Sequence, residues 1–325
     1  MAKIKKLGVL TSGGDAPGMN AAIRAVVRTA VYHDTKVVGI KRGFEGLLNG
    51  EIEEMGSRSV ADIIQRGGTV LLTARCQEMM TEAGQDKAAN VCKALGLDAL
   101  VIIGGNGSLQ GGLTLAQRGI PVYGIPGTID LDLDCTEYSI GFDTAVNTGM
   151  KAINKIRDTS SSHERCSIVE VMGRHAGHIA LWCGVTGGAD EALLPEITTK
   201  VDVDALIEQV FKNRSKGKRH NLIVVAEGVG GSVGLAKKIE EVTGVETRAT
   251  ILGHLQRGGA PTALDRMIGS MMGYMAVDLF IKGEAQNRAI IYRDGRTDHM
   301  DLAEALNYKR AFNENIYEMM KVLAI

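Results

Sequence analysis

Short apolar runs that stop at glycine and give way at once to helix-like stretches constrain this chain more than any other feature of its sequence. ALVII before Gly104, CSIVEVM before Gly173 and NLIVVAE before Gly228 follow that rule, and LGVL reaches its glycines after Thr11 and Ser12. A strand that is apolar on both sides must be covered on both sides, which is the condition of a mainly parallel sheet in an α/β fold. Amphipathic segments such as Ala21–Val31 and Leu235–Val242 supply the covering helices. In such folds ligands sit at the carboxyl ends of the strands, where much of the chain's complement of 41 glycines falls. With 325 residues the chain outgrows a single hydrophobic core, so two α/β lobes are expected.

Composition narrows the partners. Hydrophobic residues make up 45% and charged residues 23%, which places the chain among ordinary folded enzymes. The net charge of -1 provides no global field for nucleic acid or a membrane surface, so any anion site must be built locally. Cys76, Cys92, Cys135, Cys166 and Cys183 are odd in number and contain no CxxC pair, which fits a reducing compartment. The N-terminal apolar run is too short for a secretion signal, and no stretch approaches the ~20 apolar residues of a membrane span. A cytoplasmic protein is expected, with no nucleic-acid or membrane partner. The basic segment KNRSKGKRH leads straight into a strand and marks no domain boundary, and no repeat or low-complexity segment is visible.

Several segments could carry chemistry. The loop Thr11–Asn20 joins a strand to a helix starting near Pro17 or Gly18, and its hydroxyls and exposed amides suit a phosphate. It lacks the lysine of a P-loop, so a plain tight turn stays open. Gly104–Ser108, followed by Gly111 and Gly112, has Gln110 at the sixth position of the dinucleotide fingerprint, which favours a nucleoside triphosphate over nicotinamide. In Pro126–Asp134 the carboxylates of Asp130, Asp132 and Asp134 alternate with apolar residues, and in extended chain they would share one side. Repelling carboxylates suit a general base or a magnesium site, and a solvated acidic loop is the alternative.

Arg165, Arg174, Arg248, His254 and Arg257, several beside glycines, together suggest an anionic substrate, because arginine forks onto phosphate. The His175/His178 pair lacks carboxylate or cysteine partners and reads as structural. Arg24 and Arg28 stand at i,i+4 on one helix. They mark either a second anion site or two arginines each with its own acidic partner. Trp182 and the stretch Met267–Met275 are expected in the core.

Taken in order, TSGGDAPGMNAAIRAVVR, RGGTVLLTARC, IGGNGS, PGTID, RDTSSSHER, EVMGRHAGH, AEGVG and ETRATILGHLQRGGAPTALDR resemble the bacterial ATP-dependent 6-phosphofructokinases over nearly the whole chain. The resemblance implies two lobes with the active site in the cleft. A larger ATP-binding lobe would span 1–141 plus 256–306, and a smaller sugar-phosphate-binding lobe 142–255 plus 307–325. It implies transfer of the ATP γ-phosphoryl group, with Mg2+, to the 1-hydroxyl of fructose 6-phosphate.

Asp130 matches the family's general base, with Thr128 and Asp132 its neighbours, while Gly14 and Arg75 match residues at the transferring phosphate and Arg174 a catalytic contact. Cys76, Asn106, Gly107 and Ser108 match the nucleotide site. On the sugar side Met172, Gly173, Arg174 and Glu227 match fructose contacts, and Arg165, Arg248, His254 and Arg257 the 6-phosphate clamp, Arg165 and Arg248 coming from a neighbouring subunit of a homotetramer. Arg24, Arg28, Arg157, Lys216 and Lys218 match an effector site for ADP or phosphoenolpyruvate, where Asp190 replaces the usual glutamate. Glycine at 107 and 127 goes with ATP as donor.

Three positions depart from the family pattern: Asn106 for aspartate in GGDGS, Leu131 for asparagine in PGTIDND, and His178 for aspartate in GRxxGD. Asn106 removes one formal charge from a metal–nucleotide site formed with Asp130 and Asp132. Such a contact is worth ~1.5–3 kcal/mol, roughly ten- to a hundredfold. The alternative function is therefore a weakly active or inactive sugar-phosphate-binding relative.

Overall fold

The computed structural model describes residues 5–283 and 285–324. They divide into two compact units, 1–144 with 257–310 and 145–256 with 311–325, which shifts the expected junctions by a few residues.

The first unit is built on seven strands: β1 (Lys6–Ser12), β2 (Lys36–Ile40), β3 (Ile52–Met55), β4 (Ala99–Gly104), β5 (Val122–Pro126), β10 (Arg288–Arg293) and β11 (Arg296–Asp301). Their order is β11-β10-β5-β4-β1-β2-β3. The inner pairings are parallel, and only the edge strands β3 and β11 run antiparallel. Strands β1, β4 and β5 are wholly or almost wholly buried, as runs covered on both faces must be.

Helices α1 (Met19–Tyr32), α2 (Gly43–Asn49), α3 (Glu82–Ala94), α4 (Asn106–Ala116), α9 (Ala263–Lys282) and α10 (Leu302–Asn307) belong to this unit, and α5 (Phe142–His163) begins in it. One core packs Leu10, Leu100, Ile102 and Val122 against Phe44, Leu109 and Ala88. At ~1.5–3 kcal/mol for each fully buried large aliphatic side chain, this burial is the main force holding the strand ends in place. Helices α1 and α9 approach so closely that a Cβ on Gly273 would lie 2.6 Å from the Ala22 carbonyl oxygen.

The second unit carries four parallel strands in the order β7-β8-β6-β9: β6 (Cys166–Val171), β7 (Glu191–Leu193), β8 (Asn221–Ala226) and β9 (Thr247–Ile251). Its helices are α6 (His178–Gly187), α7 (Val203–Ser215), α8 (Ser232–Thr243) and α11 (Glu314–Leu323). Ile168, Ile223 and Val225 pack against Leu206, Ile207 and Ile239 in its core.

Two core expectations need correction. Trp182 is 46% exposed, because Ile179 and Cys183 take the inward face of α6. In α9, Ile268, Met272 and Ala276 at i,i+4 spacing are buried, which leaves Met267 on the outer face, 61% exposed. No helix of the described residues is long and apolar enough to cross a membrane.

Candidate active site

Register in the first unit explains why three distant loops meet. Ser12 of β1 is level with Gly104 of β4, and Gly104 is level with Pro126 of β5. The strands therefore end together, and Gly13–Gly18, Gly105–Ser108 and Gly127–Asp132 leave from one edge of the sheet. Side contacts tie them. A Cβ on Gly13 would stand 3.1 Å from Ser108 Oγ, one on Gly105 would stand 3.5 Å from Thr128 Cβ, and Gly127 N–H donates to the Gly104 carbonyl at 2.9 Å. A fourth segment joins through Thr73, whose hydroxyl donates to the Gly13 carbonyl at 2.7 Å.

Two helices begin at this edge. Helix α4 has Gly105 as its N-cap and no side-chain cap. Since Ser108 and Leu109 donate back to the Gly105 carbonyl, the amides of Asn106 and Gly107 have no acceptor within the helix. Both residues are exposed, and a Cβ on Gly107 would meet nothing within 4 Å. Helix α1 starts at Met19, after Gly18 at φ 107°, and likewise lacks a side-chain cap. Paired helix N-termini beside open glycines favour an anion. A cation stands with them: the Arg257 guanidinium lies 3.0 Å from where a Gly14 Cβ would be, so glycine at 14 is what lets the arginine reach this loop. Arg75 is exposed at the same loop cluster's fourth segment, and burial pushes the neighbouring Cys76 thiol up, so it stays neutral at pH 7.

The acidic loop is not extended, which corrects the expectation that its three carboxylates share a side. Leu131 has φ 54°, and the chain bends at Ile129 and Asp130. Asp130 is 4% exposed, Asp132 is partly exposed, and Asp134 turns away to lie 3.9 Å from Lys309. The Asp130 amide donates to Thr128 Oγ1 at 3.1 Å, and the Thr128 carbonyl accepts from Ser139 Oγ at 2.7 Å. Left-handed backbone at leucine costs ~1–2 kcal/mol. Leu131 is 6% exposed, and burying its side chain returns ~1.5–3 kcal/mol, so the substitution is tolerated. Among the described residues no three His, Cys, Asp or Glu side chains gather to hold a metal ion alone. Magnesium at a nucleotide site commonly takes one or two protein carboxylates and completes its shell with phosphate and water, and the Asp130/Asp132 pair fits that habit.

The second unit holds the other predicted residues. Gly173 (φ 143°) and Arg174 (φ 53°) form a turn whose amides both donate to Glu227 Oε1, at 3.2 and 2.6 Å. The Met172 amide donates to Gln256 Oε1 at 2.8 Å, and Gln256 Nε2 donates to the Ala145 carbonyl. Gln256 is fully buried; it falls inside the motif ETRATILGHLQRGGAPTALDR, but the motif alone does not mark it as a buried hydrogen-bonding residue. Arg165 and Arg248 both pair with Glu246. His254 is exposed on the short 3-10 turn Gly253–Arg257.

Of the residues matched to an effector site, Arg24 and Arg28 lie on α1, and among the described residues of this chain neither is ion-paired with an acidic side chain. Asp190 is 4% exposed and saturated: it accepts from Lys218 Nζ, from Asn213 Nδ2 at 2.8 Å and from the Leu222 amide at 2.8 Å. Arg157 donates to the carbonyls of Gly187 and Gly188. Lys216 is exposed at the end of α7. His178 opens α6 with its ring 5.9 Å from Phe312.

Helix N-termini, an arginine and a buried carboxylate gathered at the ends of one sheet's strands are the parts that phosphoryl transfer uses. The phosphofructokinase family profile matches residues 6–280, and the chain belongs to that family. It is 56% identical over 321 residues to an ATP-dependent 6-phosphofructokinase of Clostridium botulinum, covering 99% of this chain and all of that protein. A protein of the same description from Alkaliphilus metalliredigens is 54% identical, again over 99% and 100% of the two chains. The structure of phosphofructokinase from Saccharomyces cerevisiae superimposes with a TM-score of 0.88 at 34% identity, covering 99% of this chain and 48% of the yeast chain. A pyrophosphate-dependent phosphofructokinase from Marinobacter aquaeolei shares the fold, with a TM-score of 0.84 at 23% identity over 96% and 86% of the chains.

Proposed function

We propose that this protein transfers the γ-phosphoryl group of ATP to the 1-hydroxyl of fructose 6-phosphate, releasing fructose 1,6-bisphosphate and ADP. The observation that carries this reading is the buried Asp130 in a loop level with two uncapped helix N-termini. Asp130 takes the hydroxyl proton as the sugar oxygen bonds to phosphorus and the bond to the ADP oxygen breaks. The open amides of Asn106 and Gly107 face the developing phosphate charge, with Gly14 and Arg75 beside the transferred group. Bound Mg2+ would neutralise phosphate charge, held by Asp132 and Asp130 together with the nucleotide. Arg174, Met172, Gly173 and Glu227 orient the sugar, and Arg165, Arg248, His254 and Arg257 hold its 6-phosphate. The first unit binds ATP and the second the sugar phosphate. Contribution of Arg165 and Arg248 by a neighbouring copy makes the active form a homotetramer, and Arg24, Arg28, Arg157, Lys216 and Lys218 form the effector site for ADP or phosphoenolpyruvate, in a cytoplasmic enzyme.

The test is a coupled assay with ATP, magnesium and fructose 6-phosphate. Bisphosphate formation that requires all three supports the reading, and none at any substrate concentration refutes it. Asn106 favours a second reading, a slowed or inactive relative. Asn106→Asp would put a carboxylate at the start of α4, where both the helix dipole and a nucleotide-bound cation would welcome it. It is expected to raise kcat/KM for magnesium–ATP about tenfold, the size of one charge-assisted contact. Silence of the unaltered protein with rescue by this variant would select the second reading.

A further inference from the structure

The strand register of the second unit brings together three side chains that sequence keeps apart. Cys166 of β6 is level with Thr247 of β9, and the Cys166 amide donates to the Glu246 carbonyl at 3.0 Å. Arg165 therefore borders Glu246 across the sheet. Glu246 immediately precedes β9 and stands i,i+2 from Arg248, and both reach the same side of the sheet, where Glu246 Oε1 accepts from Arg248. The result is a single carboxylate between two guanidiniums: Oε2 lies 2.7 Å from Arg165 Nε, while Oε1 accepts from Arg248 Nε at 3.0 Å and Nη2 at 2.6 Å. The two arginines hold the Glu246 carboxyl below the usual carboxylate range, so it stays ionised throughout the neutral range.

We propose that Glu246 is the positioning residue that sets Arg165 and Arg248 as one two-pronged receptor for the phosphate of the acceptor sugar. This rests on the reading of those arginines as phosphate ligands. A guanidinium has five N–H donors. Glu246 meets the Nε edge of each, one oxygen to one arginine, hydrogen-bonded to Arg248 and in ion-pair contact with Arg165, so terminal N–H groups of both forks are left for a second, shared anion. The carboxylate also offsets the repulsion between two adjacent cations, which would otherwise splay two long, flexible side chains. Bidentate arginine–phosphate contact depends on orientation as much as on charge.

The experiment is steady-state kinetics on the full-length enzyme with Glu246→Gln, Arg248→Ala and the double variant. Glutamine keeps the shape and removes the charge that grips both forks. Glu246→Gln is expected to raise KM for fructose 6-phosphate about tenfold, with little change in KM for ATP and a smaller change in kcat than in KM. Arg248→Ala should raise the same KM further, and the double variant by less than the product of the two, since the residues act as a unit. A loss of fold alone would lower the active fraction and leave both KM values in place. A Glu246→Gln KM that is unchanged or lower, while Arg248→Ala raises it, overturns the proposal and leaves the phosphate reading standing. An Arg248→Ala KM equal to that of the unaltered enzyme removes the phosphate reading and the proposal together.

Discussion

Replacing Asp130 with alanine is expected to lower kcat by about 10²–10⁴-fold, the range for loss of a positioned general base, with a smaller rise in KM for magnesium–ATP because Asp132 keeps its share of the metal site. A carboxylate can act as base only if it is held where the hydroxyl arrives and does not swing into solvent. Asp130 is 4% exposed at a bend, and its amide donates to Thr128 Oγ1. The turn is anchored in its own right. Ser139 Oγ donates to the Thr128 carbonyl, the Ile140 amide donates to the Pro126 carbonyl, and Gly127 N–H donates to Gly104. Alanine removes the proton acceptor and leaves these backbone ties intact, so the loss should fall on the chemical step. Asp130→Asn should be equally slow, because an amide cannot accept the proton. Single-turnover rates with preloaded substrates check this. A kcat within a few-fold of the unaltered enzyme would mean that another group is the base.

The strands that carry this loop were readable because double-sided burial writes itself into a strand as an unbroken apolar run: ALVII became β4 and NLIVVA became β8. The position of the loops was readable for a related reason, since glycines at strand ends have few uses other than turns and close ligand approach. What stayed hidden depends on long-range register or on backbone sign. Glu246 opens the motif ETRATILGHLQRGG, but its place between Arg165 and Arg248 emerges only when β6 and β9 are paired. The alternating carboxylates suggested one face, but alternation holds only in extended chain, and Leu131 at φ 54° breaks it. That φ also gives a reason for asparagine in the family's pattern, since asparagine adopts left-handed backbone more readily than leucine. Trp182 misled because a large apolar ring usually marks a core, whereas its helix has an outward face that composition cannot identify.

The least legible residue of consequence is Asp265, which lies near the end of the motif ETRATILGHLQRGGAPTALDR but whose structural role nothing in that motif announces. It is fully buried, and one oxygen accepts from Tyr138 Oη at 2.7 Å and the Gly141 amide at 2.6 Å. The other accepts from the Thr144 amide at 2.8 Å and from the Thr144 hydroxyl. That hydroxyl in turn accepts from the Thr262 amide, and Thr262 caps the start of α9 by accepting from the Asp265 amide. One carboxyl thus joins α9 to the segment that follows the Asp130 loop. Burial pushes its pKa up, against the pull of these four hydrogen bonds. A folded pKa above the unfolded value means its protonation favours the fold: that contribution is full below the unfolded value of about 3.9 and declines as pH rises through the folded one.

Asp265→Ala leaves two amides and two hydroxyls facing a buried void. The expected loss is ~3–5 kcal/mol, the range for breaking a buried polar network from one side. At ~2–4 °C per kcal/mol for a chain of this size, the thermal midpoint should fall by about 10 °C. Tyr138→Phe removes one donor along with its need for a partner and should cost only ~1 kcal/mol. Equal shifts for the two variants, read by thermal or urea unfolding, would show that the tyrosine contact alone holds the junction. A much larger shift for Asp265→Ala would place the stability in the backbone amides that a single carboxyl satisfies at once.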